Sequence, residues 1–395
     1  MDIPTSPLAT ALPASMPFIK GISLATTCSG IKYQNRDDIL VVQFPTNTIM
    51  AGVYTQNKCP GAPIDWNRNL TPGVVDSLVV NAGNANVFTG QAGVESVAAM
   101  AAAAPGERVT ISSTGVIGEP LDDAKLATAI QRATPGKTWF DAANAIRTTD
   151  TFAKLATASF ETTNGDKVTV NGIAKGSGMV APDMATMLAY IFTDACLSAE
   201  QAQSLLSTCC DTSFNAISVD SDQSTSDTLQ LFATGSIPLS DQDVHAFENA
   251  LETVCQNLAE QIVRDGEGAS KLIQITVVEA ETDAAAKKIA FAIANSPLFK
   301  TAMAGNDANW GRVVMAVGKA GERANRDALW IEFGKVRVAE NGCRHANYNE
   351  EAATAEVSKT QVALTVGVGI GHGKATVLTC DLTHGYISIN GDYRS

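Results

Sequence analysis

Between Asn171 and Asp194 the chain reads Asn-Gly-Ile-Ala-Lys-Gly-Ser-Gly-Met-Val-Ala-Pro-Asp-Met-Ala-Thr-Met-Leu-Ala-Tyr-Ile-Phe-Thr-Asp. Its first half has a loop composition, and Gly172, Gly176 and Gly178 permit backbone angles that other residues resist. Pro182 then fixes the chain shortly before the small pair Ala185-Thr186. Met187 to Phe192 is an apolar run, the pattern of a strand buried on both faces. A single hydroxyl, Thr186, therefore stands where a glycine loop meets a buried strand. A β-branched Thr suits the start of a strand with no chemistry at all. The chemical alternative is a nucleophile. A Thr hydroxyl is weak until a base takes its proton, and a Thr that becomes the first residue of a new chain carries that base as its own α-amine. With a pKa of about 7.7–8.0, such an amine is partly neutral at cellular pH. This solution needs a cut between Ala185 and Thr186. Attack of the hydroxyl on the preceding carbonyl, followed by hydrolysis of the ester, would make it.

Other residues could serve such a nucleophile. Val109 to Ser112 reads as a strand that runs into Ser113-Thr114-Gly115-Val116-Ile117-Gly118. As structure, this is a strand-to-turn link. As chemistry, the Gly115 N–H and the Thr114 hydroxyl could hold a developing oxyanion. Thr148, in Arg147-Thr148-Thr149-Asp150, has the composition of a cap or turn. Lys175 is either a solvated loop lysine or a cation for a substrate carboxylate. Glu267, between Gly266 and Gly268, is an exposed loop acid or a carboxylate for a substrate ammonium. Ala82 to Val87 is a small-residue turn whose N–H groups could face a ligand.

The run from Lys175 to Leu188 resembles the self-cleavage motif of the ornithine acetyltransferase family. The resemblance extends from about Gly21 to Ser395 and rests on several separated motifs. It implies an α/β fold with stacked β-sheets flanked by helices, in αββα-like layers, and an N-terminal-nucleophile type of site. It implies an α piece, residues 1–185, and a β piece, residues 186–395, made by self-cleavage between Ala185 and Thr186 and kept together, as α2β2 or higher. The implied reaction moves the acetyl group of N-acetylornithine to glutamate through an acetyl-Thr186 intermediate. Thr114 and Gly115 become the oxyanion hole. Thr148, Lys175, Thr186, Glu267, Asn390 and Ser395 become the substrate-binding set. Gly391 stands where the family commonly has a small residue such as Ala. Two other classes stay open: a self-processing amidase or aminopeptidase with water as acceptor, and an uncleaved amino-acid-binding protein. No cofactor is expected, and whether acetyl-CoA is a second donor stays open.

Composition narrows the setting. At 395 residues the chain suggests two domains or one large layered fold. A formal charge of −13 without a basic run argues against a nucleic-acid surface. No apolar run reaches the eighteen or so residues of a membrane span, and the N-terminus lacks the pattern of a secretory signal. The expected location is cytoplasmic. The 8 cysteines include no CxxC pair and the 4 histidines no HxxxH spacing, so no metal is expected. Cys209-Cys210 is expected to pack a helix.

The elements that must position these groups follow from period and punctuation. Strands are expected at Asp38 to Phe44, Thr48 to Tyr54 as its partner, Ser77 to Asn81, Val109 to Ser112, and a hairpin of Ala156 to Glu161 with Lys167 to Val170. Gly21 to Tyr33 reads as a polar segment. Helices are expected at Gln91 to Ala104, Leu121 to Ala133, Trp139 to Ile146, Ser198 to Ser207 with Glu200 near a capping pattern, Asp243 to Asp265 and Ala284 to Asn295. Lys271 to Val278, Leu329 to Val338, Gln361 to Gly369, Ala375 to Asp381 and Gly385 to Asn390 read as further strands. Gly367-Val-Gly-Ile-Gly371 is followed by a strand pattern rather than a helix. It reads as a hairpin turn, not a dinucleotide site. Asn306, Asp307 and Asn309 read as polar anchors or as site residues, and the role of the segment from Gly305 to Arg312 stays open.

Overall fold

The computed structural model describes residues 4–181 and 187–391. Ala185, Thr186 and Ser395 lie outside the described residues, and so does the expected cut. The chain packs as two compact units. One comprises Ala11–Asn215 and Asp222–Ile262, the other Met1–Thr10, Ala216–Ser221 and Val263–Ser395.

The first unit runs β1 (Ser23–Thr27), β2 (Ile39–Tyr54), α1 (Ala62–Arg68), β3 (Gly73–Asn84), α2 (Gly90–Ala103), β4 (Val109–Val116), α3 (Asp123–Arg132), β5 (Thr134–Pro135), α4 (Trp139–Ala145), β6 (Lys154–Glu161), β7 (Lys167–Lys175), β8 (Leu188–Cys196), α5 (Ala199–Thr212), β9 (Thr228–Pro238) and α6 (Val244–Arg264). The strand order is β4-β3-β2-β9-β8-β7-β6, with β1 and β5 attached beside β2. β1 lies in the segment that reads as merely polar. Thr48–Tyr54 is not a partner of the preceding strand but its continuation. Asn47 takes φ 65 and the register to β3 shifts between Gln43 and Thr48, so Pro45 bends β2 without ending it. β7 likewise runs on through Asn171 to Lys175, where a loop is expected, and the loop begins only at Gly176.

Past that bend the sheet folds over on itself. Alternate β2 residues point to opposite faces. Leu40, Val42 and Phe44 share a core with Leu188, Tyr190 and Phe192 of β8, Phe232 of β9 and Trp139 of α4. Phe44 stacks on Phe232 with ring centroids 4.5 Å apart. Ile39 and Val41 face the other way, against Val97 and Met100 of α2 and Leu126 and Ile130 of α3. On the outer face of β7, Gly172 leaves room for α6, since a Cβ there would lie 2.6 Å from Leu258 Cδ1 and 2.7 Å from Val254 Cγ1. The layers are helix, strand, strand, helix, as the family resemblance implies. Ser198 caps α5 through a capping box whose partner is Gln201, one residue beyond the expected Glu200. Cys209 and Cys210 are buried on α5.

The second unit runs β10 (Leu272–Ala280), α7 (Asp283–Ala294), α8 (Pro297–Ala304), α9 (Trp310–Gly318), β11 (Trp330–Phe333), β12 (Val336–Glu340), β13 (Cys343–Arg344), α10 (Glu350–Val357), β14 (Gln361–Gly367), β15 (Gly373–Cys380) and α11 (His384–Gly391). Its strand order is β13-β12-β11-β14-β10-β15. β10 lies between β14 and β15, so the glycine-rich link between them is a crossover and not a hairpin. Leu329–Val338 is two strands, not one, turned at Gly334 with φ 58. Gly385–Asn390 is helical, not a strand. Asn309 caps α9, and Asn306 accepts from the buried Lys271 ammonium, so these two residues of the polar run anchor structure.

Candidate active site

Thr114 and Gly115 close β4, and Lys175 closes β7. Five strand spacings separate β4 from β7 in the sheet order, about 24 Å if the sheet were flat. The curl brings them together instead: Lys175 Nζ donates to Thr114 Oγ1 at 3.2 Å, and both side chains are buried. Gln230 of β9 makes a similar crossing, donating to Thr110 Oγ1 of β4 at 2.7 Å. With its oxygen taken by an ammonium, the Thr114 hydroxyl proton is left to point elsewhere, which is what an oxyanion donor requires.

Gly115 is a geometric necessity. Its φ is +130°, and a Cβ there would sit 2.3 Å from the Gly83 carbonyl carbon. The strand end is fixed from behind by an asparagine network. Ala85 N–H donates to Val116 O at 2.9 Å, and Asn86 N–H donates to Asn84 Oδ1 at 2.8 Å. The N–H groups of Ala85 and Asn86 are thus spent inside the fold. The expectation that the 82–87 turn offers its N–H groups to a ligand is corrected for these two.

Thr148 lies in the loop after α4, ahead of a residue that composition reads only as a turn former. Asp150 is the hub of this corner. Its Oδ2 accepts the Thr148 N–H at 3.0 Å, while Oδ1 accepts the Gly176 N–H at 2.6 Å and Lys154 Nζ at 2.7 Å. Both side chains of the Lys154–Asp150 pair are fully shielded from solvent. Burial alone would raise the Asp150 pKa. The Lys154 and Lys175 charges and the Gly176 N–H outweigh it and hold the carboxyl well below the usual aspartate range. One carboxylate therefore fixes the Thr148 backbone and the backbone directly after Lys175. Thr149 Oγ1 and Ser177 Oγ, 2.7 Å apart, tie the same two loops again.

Asp227 is a second carboxyl that sequence reasoning passes over. It sits just before β9 and its Oδ1 accepts the Met187 N–H at 2.9 Å. Burial pushes its pKa well up. The Met187 N–H, the Lys175 ammonium and the hydroxyls of Thr55 and Ser224 offset this only in part. The signal was the second Asp of a Ser-rich run, Ser221-Asp-Gln-Ser-Thr-Ser-Asp227, which by composition is indistinguishable from a solvated loop.

The second unit brings Glu267 and Asn390 together. Asn390 Nδ2 donates to Glu267 Oε2 at 2.7 Å, and Glu267 is only 9% exposed. Gly268 makes this approach possible, because at φ +73° a Cβ would lie 2.5 Å from Tyr386 N on α11. Tyr386 Oη donates to Asp220 Oδ2 at 3.2 Å and braces the same helix. Among the described residues no group of His, Cys, Asp and Glu is arranged to hold a metal, and no helix is long and apolar enough to cross a membrane.

Known proteins resemble the chain over most of its length. The ArgJ family matches residues 23–395. The arginine biosynthesis bifunctional protein ArgJ of Rhizobium meliloti is 51% identical over 409 residues, covering 99% of each chain. That of Agrobacterium fabrum is 50% identical over 414 residues, covering 100% of each. Among solved structures, the arginine biosynthesis bifunctional protein of Bacillus halodurans is 36% identical over 51% of this chain and 97% of its own, with a TM-score of 0.48. Ornithine acetyltransferase of Mycobacterium tuberculosis, solved with ornithine, is 32% identical over 41% of this chain and 92% of its own, with a TM-score of 0.38.

Proposed function

The chain belongs to the ArgJ family, acetyltransferases of arginine biosynthesis with glutamate N-acetyltransferase activity, and on that premise we propose how its residues carry the transfer. The chain is cut between Ala185 and Thr186, and the new α-amine of Thr186 takes the proton from its own hydroxyl. The hydroxyl oxygen attacks the acetyl carbonyl of N-acetylornithine. Thr114 and Gly115 hold the tetrahedral oxyanion, a type of donor worth about 2.7–4 kcal/mol each. The C–N bond breaks, the proton returns to the leaving amine, and ornithine departs. The amine of glutamate then attacks the acetyl carbonyl of acetyl-Thr186, the ester C–O bond breaks, the amine's proton returns to the Thr186 oxygen, and N-acetylglutamate departs. Acetyl-CoA serves as a second acetyl donor, in keeping with the bifunctional names of the relatives. No resident cofactor takes part.

The observation that carries this reading is the hydrogen bond from Lys175 to Thr114 beside Gly115, because it assembles a cation and an oxyanion donor from strands far apart in the sheet. Thr148 and Lys175 bind the substrate, and Glu267, Asn390 and Ser395 complete the binding set that the family resemblance implies. The cleaved pieces, 1–185 and 186–395, stay together as an α2β2 or larger assembly in the cytoplasm.

The test is intact mass spectrometry of the wild type beside Thr186→Ala, followed by assay of both. Two fragments in the wild type, the second starting at Thr186, with the variant whole and inactive, is the expected result. A whole, inactive wild type would move the reading to an uncleaved binding protein. Cleavage with acetylornithine hydrolysis that glutamate does not divert would move it to an amidase.

A further inference from the structure

The ladder between β6 and β7 ends at the pair Lys154–Ala174, one residue short of Lys175. Past that pair, the chain that enters β6 and the chain that leaves β7 still have to be aligned. Asp150 aligns them. Three donors converge on its carboxyl: the Thr148 N–H on Oδ2 at 3.0 Å, and on Oδ1 the Gly176 N–H at 2.6 Å with the Lys154 ammonium at 2.7 Å. The Thr149 and Ser177 hydroxyls meet alongside, 2.7 Å apart. The Asp150 side chain is fully shielded from solvent, so each of these bonds is costly to leave unmade.

A turn needs one acceptor, and Asn serves turns as well as Asp does. Asn could not serve here. An amide has one oxygen, and whichever way it turned its NH2 would face the Thr148 N–H or the Gly176 N–H, donor against donor. The Lys154 ammonium has a different part. Burial works against a charged carboxyl, and the Lys154 charge, with that of Lys175, offsets it. The ammonium thus keeps the acceptor ionised, while the two N–H bonds fix geometry.

We propose that Asp150 is the positioning residue of the site for the α-carboxylate that N-acetylornithine and glutamate share. It holds the Thr148 backbone and the backbone next to Lys175 in one frame, so that the Thr148 hydroxyl and the Lys175 ammonium are set for that carboxylate before substrate arrives. This role rests on Thr148 and Lys175 binding the substrate. The oxyanion pair is fixed separately, on β4, where Gly115 packs on Gly83 and Val116 O accepts the Ala85 N–H. Loss of the Asp150 bonds therefore falls on KM and spares kcat.

The experiment compares wild type with Asp150→Asn, Lys154→Gln, Thr148→Ala and Lys175→Ala by thermal melting and by steady-state transfer from N-acetylornithine to glutamate. The expected Asp150→Asn enzyme has KM at least tenfold higher for both substrates, with kcat within threefold of wild type. Lys154→Gln keeps a donor for Oδ1 without the charge, so it is expected to melt lower than wild type with KM within threefold. A KM within threefold in Asp150→Asn overturns the role, and so does a loss confined to kcat. A KM rise in Lys154→Gln equal to that in Asp150→Asn would reduce the effect to lost stability and overturn it too. Should Asp150→Asn not fold, Asp150→Glu is judged by the same KM criterion, since one added methylene shifts both N–H bonds while keeping the carboxyl. Unchanged KM in both Thr148→Ala and Lys175→Ala would overturn their binding roles and this one with them. Raised KM in those two beside a normal Asp150→Asn would overturn the Asp150 role alone.

Discussion

Two single residues carry predictions that follow from contacts at ångström distances. At Gly115 a methyl group has nowhere to go, because the Gly83 carbonyl carbon would be 2.3 Å away at a backbone angle that L side chains rarely adopt. Gly115→Ala is therefore expected to push the end of β4 away from β3 and lower kcat about a hundredfold, the scale of losing an oxyanion donor. Steady-state kinetics checks it, and near-normal turnover would remove Gly115 from the site. Asp150 is the other case. Asp150→Ala breaks the buried pair with the Lys154 ammonium, which costs about 3–5 kcal/mol and is read from denaturant unfolding. The folded Asp150 carboxyl lies below its ordinary value. Its contribution to stability is thus fully present above the unfolded value of about 3.9 and is lost as pH falls towards the folded one. Asp150→Asn lacks that share, so its stability below about pH 4 should fall less steeply than that of the wild type. A parallel pair of curves would contradict the assignment. The nearness of Thr114 and Gly115 on one strand was legible in the sequence, and their meeting with Lys175 was not, because it depends on the curl of the sheet. Asp150 and Asp227 were not legible either. Asp227 meets Met187 from 40 residues away, and its type alone says turn before it says core.

At the scale of elements, the site exists because β2 bends without stopping. The sequence pattern suggests one strand ending at Phe44 and a partner starting at Thr48, two short paired strands. The structure turns the residues between them into a bulge, with β3 alongside both halves of β2 and β9 pairing only with the second. That difference decides whether Thr114 can meet Lys175. The C-terminal helix α11 was misread for a related reason. Tyr386, Ile387, Ser388 and Ile389 carry residues of strand type, and no buried residue marks a helical face. What makes it a helix is tertiary: Gly268 lies under Gly385 and Tyr386, and Asn390 bonds Glu267. The hairpin of β6 and β7, by contrast, was legible from Thr-Asn-Gly-Asp, and Thr162 N–H closes it on Asp166 O at 2.8 Å. Packing between elements makes its own prediction. Gly172 of β7 lies under Leu258 and Val254 of α6. Gly172→Val overfills that contact and should destabilise by about 1–3 kcal/mol, with little change in KM for the enzyme that still folds. Urea unfolding with kinetics on the folded fraction decides it, and unchanged stability would mean that α6 moves aside freely.

For the whole molecule, the expected cut and the sheet order have to be read together. A cut between Ala185 and Thr186 assigns β1 to β7 to one piece and β8 onwards to the other. In the sheet, β9 and β8 lie between β2 on one side and β7 on the other. The β piece is thus inserted into the middle of the α piece, with backbone ladders along both borders: Ile49–Tyr54 against Thr228–Ala233, and Val170–Lys175 against Leu188–Thr193. The buried side chains of the shared core come from both pieces as well. Separating them would expose two new strand edges and a core at once. The cut should therefore release a chain end at the site without releasing a chain. The two pieces should co-elute in gel filtration at any native dilution, and they should part only at the denaturant concentration that also unfolds the sheet, with one shared midpoint. Each piece expressed alone should be insoluble or unfolded, and co-expression should restore activity. Pieces that exchange or separate below that midpoint would mean that β8 and β9 are held by something weaker than the two ladders.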